Sequence, residues 1–159
     1  MKKRLIVIFL ITFVCFGLLA GVFHVLSNSH YLVEKQKTQV ADFFSSNRAS
    51  LESIYIALNK SNLSIKTIED DGTIELQDAT RVRLDNVSEL IKSVYTEGKK
   101  YHIRNIEYIT ETNVFFVESY FPINRTIIRL IYSDDGLMLD DTEVTHLDSN
   151  WYLQVLYMT

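Results

Sequence analysis

His146 stands in the stretch of this chain best equipped for chemistry. Glu143 precedes it by three positions, and Asp140 and Asp141 lie just upstream. An imidazole beside carboxylates can pass protons near neutral pH, or share a metal ion with them. On that basis the chain would be an enzyme acting on an envelope substrate through His146, Glu143 and Asp140. The same residues also suit a partly exposed histidine in an acidic loop, and that is the preferred expectation. Asp134, Asp135, Asp140, Asp141 and Glu143 do not follow the calcium-loop pattern of alternating oxygen ligands, a central glycine and a distant glutamate. They read as solvated turn acids. His30 and His102 have no second histidine or cysteine at the i,i+4 spacing of a helical metal site.

Other catalytic signatures are missing. No G-x-S-x-G elbow, phosphate loop, dinucleotide fingerprint or H-E-x-x-H occurs in the sequence. The soluble part has no cysteine, so disulfides and thiolate zinc sites are excluded there. The expectation is therefore no catalytic residues, no metal and no cofactor.

The aromatic residues carry more information. Nine Phe and nine Tyr are present, and many crowd residues 95–132. Alternation along 114–121 sends Phe115, Val117 and Ser119 to one face of a strand and Phe116, Glu118 and Tyr120 to the other. One face must be core. The other, with Tyr108 grouped beside it, is a candidate partner-binding face, because aromatic residues are favoured at protein interfaces. A closed cavity lined by Phe and Tyr would instead indicate a small-ligand carrier.

The elements that position these residues follow from periodicity. Val33, Val40, Phe44, Leu51, Ile54 and Leu58 form one helical stripe, opposite Lys35, Gln36, Gln39, Arg48 and Glu52. A helix over 31–60 is expected, with Ser45-Ser46-Asn47 as a place to bend or split it. Residues 63–69 and 73–77 alternate around Asp71-Gly72, which predicts a β-hairpin. Residues 78–84 are a loop or a strand extension through Val82 and Leu84. A second helix should start at an Asn86 cap with Glu89 three residues on, and stop at Gly98. Strands are expected over 101–109, 114–121 and 126–132, then a short one at 143–147 or irregular chain. A last strand over 151–157 should pair within the sheet, with Trp151, Leu153, Val155 and Tyr157 on one face. The order predicts an α+β fold, an antiparallel sheet with two helices packed on it.

In front of all this lies an apolar run of 22 residues, 5–26, directly preceded by Lys2, Lys3 and Arg4. As a helix it would be about 33 Å long, matching the hydrocarbon core of a bilayer. Its anchor residues would be Leu5, Ile6, Val7, Ile8, Phe9, Leu10, Phe13, Leu18, Leu19, Val22, Phe23 and Leu26. The flanking cations favour a cytoplasmic N-terminus. Gly17 and Gly21 could allow a close helix–helix contact, hence a homodimer. A cleaved signal peptide ending near Ser27-Asn28-Ser29 is the alternative, giving a secreted domain.

Two parts are thus expected. Residues 1–29 are a cytoplasmic tip and transmembrane anchor, and residues 30–159 are one extracytoplasmic domain, with 30–60 as helix or stalk and 61–159 as sheet plus second helix. The location would be a bacterial inner membrane, crossed once. Residues 30–159 hold 13 basic and 20 acidic residues, a net of −7. That argues against nucleic acid and for lipid at the anchor plus a protein partner, one that a basic surface would suit. The expected role is a non-catalytic binding or accessory protein, such as an immunity-type inhibitor or a subunit of an envelope complex.

Overall fold

The computed structural model describes residues 2–133 and 143–158, and within 2–29 the side chains of residues 14, 15 and 17–21 only. The elements are α1 (Lys2–Ser61), β1 (Ile65–Ile68), β2 (Ile74–Leu76), β3 (Arg81–Val82), α2 (Asp85–Gly98), a 3-10 turn (Lys99–Tyr101), β4 (Ile103–Ile109), β5 (Val114–Phe121), β6 (Thr126–Tyr132), β7 (Glu143–Asp148) and β8 (Trp151–Tyr157). The fold is α+β. A small antiparallel sheet runs β1-β2-β3, and a five-stranded antiparallel sheet runs β4-β5-β6-β8-β7. The chain divides into two compact units, residues 1–35 and 36–159, and α1 belongs to both.

Helix α1 continues through Asn28-Ser29-His30 and through Ser45-Ser46-Asn47, where the sequence suggested a bend or split. The side chains explain the second case. The Ser45 and Ser46 hydroxyls donate to the carbonyls of Ala41 and Asp42, and the Asn47 amide donates to that of Phe43. Groups able to compete with the helix bond back into it instead. Among the described residues no helix is long and apolar enough to cross a membrane. Most side chains of the run 5–26 lie outside that description.

In the second unit Val40, Phe44, Leu51, Ile54 and Leu58 of the expected stripe are buried. Gln36 departs from expectation. It is buried rather than solvent-facing, and its amide exchanges hydrogen bonds of 3.2 and 3.0 Å with that of Asn124. The helix packs on the sheet face bearing Phe115, Leu130, Trp151 and Leu153. Phe44 meets Trp151 at 5.1 Å between ring centroids, and Tyr55 meets Tyr132 at 4.2 Å. Burying each such side chain is worth roughly 1.5–3 kcal/mol, so this face holds most of the core energy.

The hairpin forms, with strands shorter than expected, and β3 continues it through Val82. Gly72 has φ +83°, and a Cβ there would come within 2.3 Å of the Ser88 carbonyl oxygen. Ser88 in turn donates to the Gly72 carbonyl at 2.8 Å, so glycine lets α2 close onto the turn. Helix α2 begins two residues earlier than expected, with Leu84 rather than Asn86 at the cap position and no side-chain cap. The α-helix ends at Gly98 as expected, but Gly98 keeps helical angles and the chain runs on into the 3-10 turn. Gly98 is glycine because Ile103 lies where its Cβ would be. The left-handed His102, φ 61°, ends the turn that follows.

The two sheets meet along β1 and β4 without a backbone ladder. The Tyr95 hydroxyl donates to the Ile68 carbonyl and accepts from the Ile106 N–H, both at 3.0 Å. The Thr110 hydroxyl donates to the Leu63 carbonyl at 3.1 Å and accepts from the Ile65 N–H at 3.4 Å. Two side-chain hydroxyls therefore do what a strand pairing would otherwise do at this edge.

Candidate protein-binding face

Register assigns every strand residue to a face. One row crosses the sheet as Glu107, Phe116, Ile131, Tyr152 and His146. The next holds Asn105, Glu118, Arg129, Gln154 and Val144, and a third holds Tyr120, Ile127 and Leu156. These residues lie on the face turned away from α1. Phe116, Glu118 and Tyr120 are half-buried there, as are Ile127, Arg129, Tyr152 and Leu156. The sequence pointed to the β5 residues alone. Their neighbours on β6 and β8 could be assigned only once the strand order was known.

Tyr108 belongs elsewhere. It pairs with Phe115, so it lies on the core face, and it is only 5 % exposed. Its ring meets Tyr55 at 6.2 Å, and its hydroxyl bonds to Asn59 and Asn113. It is a core residue with a satisfied hydroxyl rather than part of the open face.

The open face is apolar around a neutralised charge. Arg129 pairs with Glu118 across the β5–β6 ladder, and its guanidinium lies 5.4 Å from the Phe116 ring centroid. Asn105 donates to Glu107 and, at 3.5 Å, to Glu118. An ion pair flanked by aromatic and aliphatic side chains resembles the centre of a protein interface, where Arg and aromatics are enriched and unpaired charge is rare.

The proposed acid–base group is not brought together. His146 and Glu143 are three residues apart on β7, and therefore face opposite sides of the sheet. Glu143 bonds to Lys37 on α1 at 2.5 Å, whereas His146 contacts the Ser149 carbonyl at 2.7 Å and stacks near Tyr152 at 5.2 Å. Asp134, Asp135, Asp140 and Asp141 lie outside the described residues. No group of His, Cys, Asp and Glu suited to a metal ion occurs among the described residues. Gly17 and Gly21 sit on α1 with open space around them.

Two open clefts flank this architecture. One of about 410 Å³ lies between β1 and β4, where Lys99, Arg104, Glu69 and Asp70 mix both charges. The other, about 370 Å³, lies between α1 and β7. Tyr95 lines the first, and burial pushes its phenol up to about 12. It stays neutral, as a hydroxyl that both donates and accepts must. No protein-family model matches the chain, and no curated protein or solved structure matches it either.

Proposed function

We propose that this chain is a membrane-anchored, extracytoplasmic protein-binding domain without catalytic activity, of the kind that inhibits a cognate protein or serves as a subunit of an envelope complex. The observation that carries this reading is the open sheet face, where Phe116, Tyr120, Ile127, Tyr152 and Leu156 stay half-exposed around the Glu118–Arg129 pair. A monomer gains nothing by leaving so many large apolar groups together at its surface, whereas a partner would complete their burial. The anchor rests on the apolar run 5–26 behind three cations. It leaves the net −7 of residues 30–159 facing a partner with basic character.

The test has two parts. Reporter fusions after residue 158 should be active only outside the cytoplasm, and the protein should stay with membranes after osmotic shock. A photo-crosslinking residue at Tyr120 or Leu156 should capture one protein in intact cells, while the same residue at exposed Lys66 on the small sheet should not. Equal labelling at all three positions would end the binding reading.

A further inference from the structure

The two strands that face each other between the sheets both depart from regular pairing. The register of β1 shifts between Ile65 and Thr67, and that of β4 between Ile103 and Asn105. Bulges end a ladder and re-aim side chains. Arg104 is the residue within the β4 bulge, and it is exposed. The hydroxyl contacts fix how the strands pass. Thr110 holds Leu63 and Ile65, and Tyr95 joins Ile68 to Ile106, so rising numbers on β1 meet falling numbers on β4. One step further, Glu69 and Asp70 come opposite Arg104 and Asn105. The gap there is the cleft of about 410 Å³.

This cleft is polarised across its width. β4 and the turn before it contribute Arg104 and Lys99, whereas the chain at the end of β1 contributes Glu69 and Asp70. Glu69 is taken by Arg81 at 2.9 Å. Arg104, Lys99 and Asp70 make no ion pair among the described residues, although they line one cleft. Their charged groups therefore stand further apart than the roughly 4 Å of a direct pair. Between the charged walls the lining is buried, with Ile68, Ile103 and Tyr95. The Tyr95 hydroxyl is already used in both directions, so it fixes the walls. A volume of this size falls within the range of small-ligand sites.

Charge selects the ligand. A simple anion held by Arg104 and Lys99 would meet carboxylates across the cleft, and a simple cation held by Asp70 would meet the two basic groups. A molecule carrying both charges satisfies both walls. We propose that the cleft between β1 and β4 binds a small zwitterion, a short peptide or an amino acid, with its carboxylate at Arg104 and Lys99 and its ammonium at Asp70. The site shares only Asn105 with the partner-binding face and does not depend on that reading.

The experiment uses the full chain in detergent micelles and follows backbone amides by NMR. The probes are alanyl-alanine, its N-acetyl form, its C-terminal amide, and free alanine. Alanyl-alanine should shift the amides of residues 68–70 and 103–105 saturably, and either cap should weaken binding about ten-fold or more. Two variants assign the ends. Arg104→Gln should remove most of the penalty of the C-terminal amide, and Asp70→Asn most of that of the N-acetyl group. Both positions are exposed, so neither variant should alter the fold. Free alanine binding as tightly as the dipeptide would assign the site to amino acids, and weaker binding would assign it to short peptides. Equal affinity for capped and uncapped dipeptides would overturn the proposal, because the charges would then select nothing. Cap penalties unchanged in both variants would overturn it as well, as would the absence of saturable shifts up to about 10 mM. Shifts confined to residues 116–120 and 152–156 would place the peptide on the open face and refute the cleft site.

Discussion

The two edges of the five-stranded sheet solve the same problem in opposite ways. At β4 the outward N–H of Ile106 meets the Tyr95 hydroxyl, and β1 is tied on by Tyr95 and Thr110. At β7, among the described residues, the Lys37–Glu143 and Arg48–Asp148 pairs tie the strand's two ends to α1. One edge is joined to its neighbour through side-chain hydroxyls and the other to α1 through ion pairs. The hydroxyl contacts at β4 include the buried Tyr95, whereas the ion pairs at β7 are solvent-accessible, so the first edge should contribute more to stability.

Breaking the closed edge should have the largest effect. Tyr95→Phe leaves the buried Ile68 carbonyl and Ile106 N–H without their shared partner, and should cost about 2–4 kcal/mol in chemical denaturation. The same residue sets an alkaline limit. Its folded phenol is raised to about 12 by burial, so its contribution is whole below the ordinary tyrosine range and falls away as pH rises through it. Stability of the native protein should decline between about pH 10 and 12, and Tyr95→Phe should flatten that decline. Loss of less than about 0.5 kcal/mol in Tyr95→Phe would mean that the hydroxyl stitch is dispensable.

Amide exchange compares the edges directly. The Ile106 amide should exchange about 100-fold more slowly than the outward amides of residues 143–146, because only the first is covered. Similar rates would erase the distinction drawn here. Thr110→Val should cost less than Tyr95→Phe, about 1 kcal/mol, since Thr110 is half-buried and water can replace it. At β7 Arg48→Met should leave the denaturation midpoint nearly unchanged, as expected for a solvent-accessible pair. Smallest is a titration effect in the hairpin. Hydrogen bonds from Thr73, followed by Arg83, hold Asp71 below the usual carboxylate range. Its contribution is present above that range and disappears as pH falls through it. A carboxyl titration by NMR should place Asp71 lower than in Asp71-containing unfolded peptides.

Much of the fold was legible in the chain because it follows from local periodicity. The α1 stripe, the Asp71-Gly72 turn, the alternation of β5 and the buried row Trp151, Leu153 and Val155 of β8 are each set by residues close in sequence. The misplacements came where distant residues decide. Tyr108 sits near Phe116 in sequence terms, yet the β4–β5 register pairs it with Phe115 and turns it inward. Gly98 does end the α-helix, but not through a left-handed cap, and its lack of a side chain makes room for Ile103. Asn86 and Glu89 resembled a capping box, while the helix starts two residues earlier without one. Gln36 looked solvent-facing because its partner, Asn124, lies 88 positions away.

By itself the sequence determined the helical and strand segments, the apolar leader with its cations and the acidic balance of the remainder, since these depend on composition and short-range spacing. The tertiary structure alone decided which residues share the open face, that His146 and Glu143 part to opposite sides, and which edge is held by hydroxyls and which by ion pairs. Those properties depend on strand order and register, and both are chosen by long-range packing of α1 against the sheet rather than by any local run of residues.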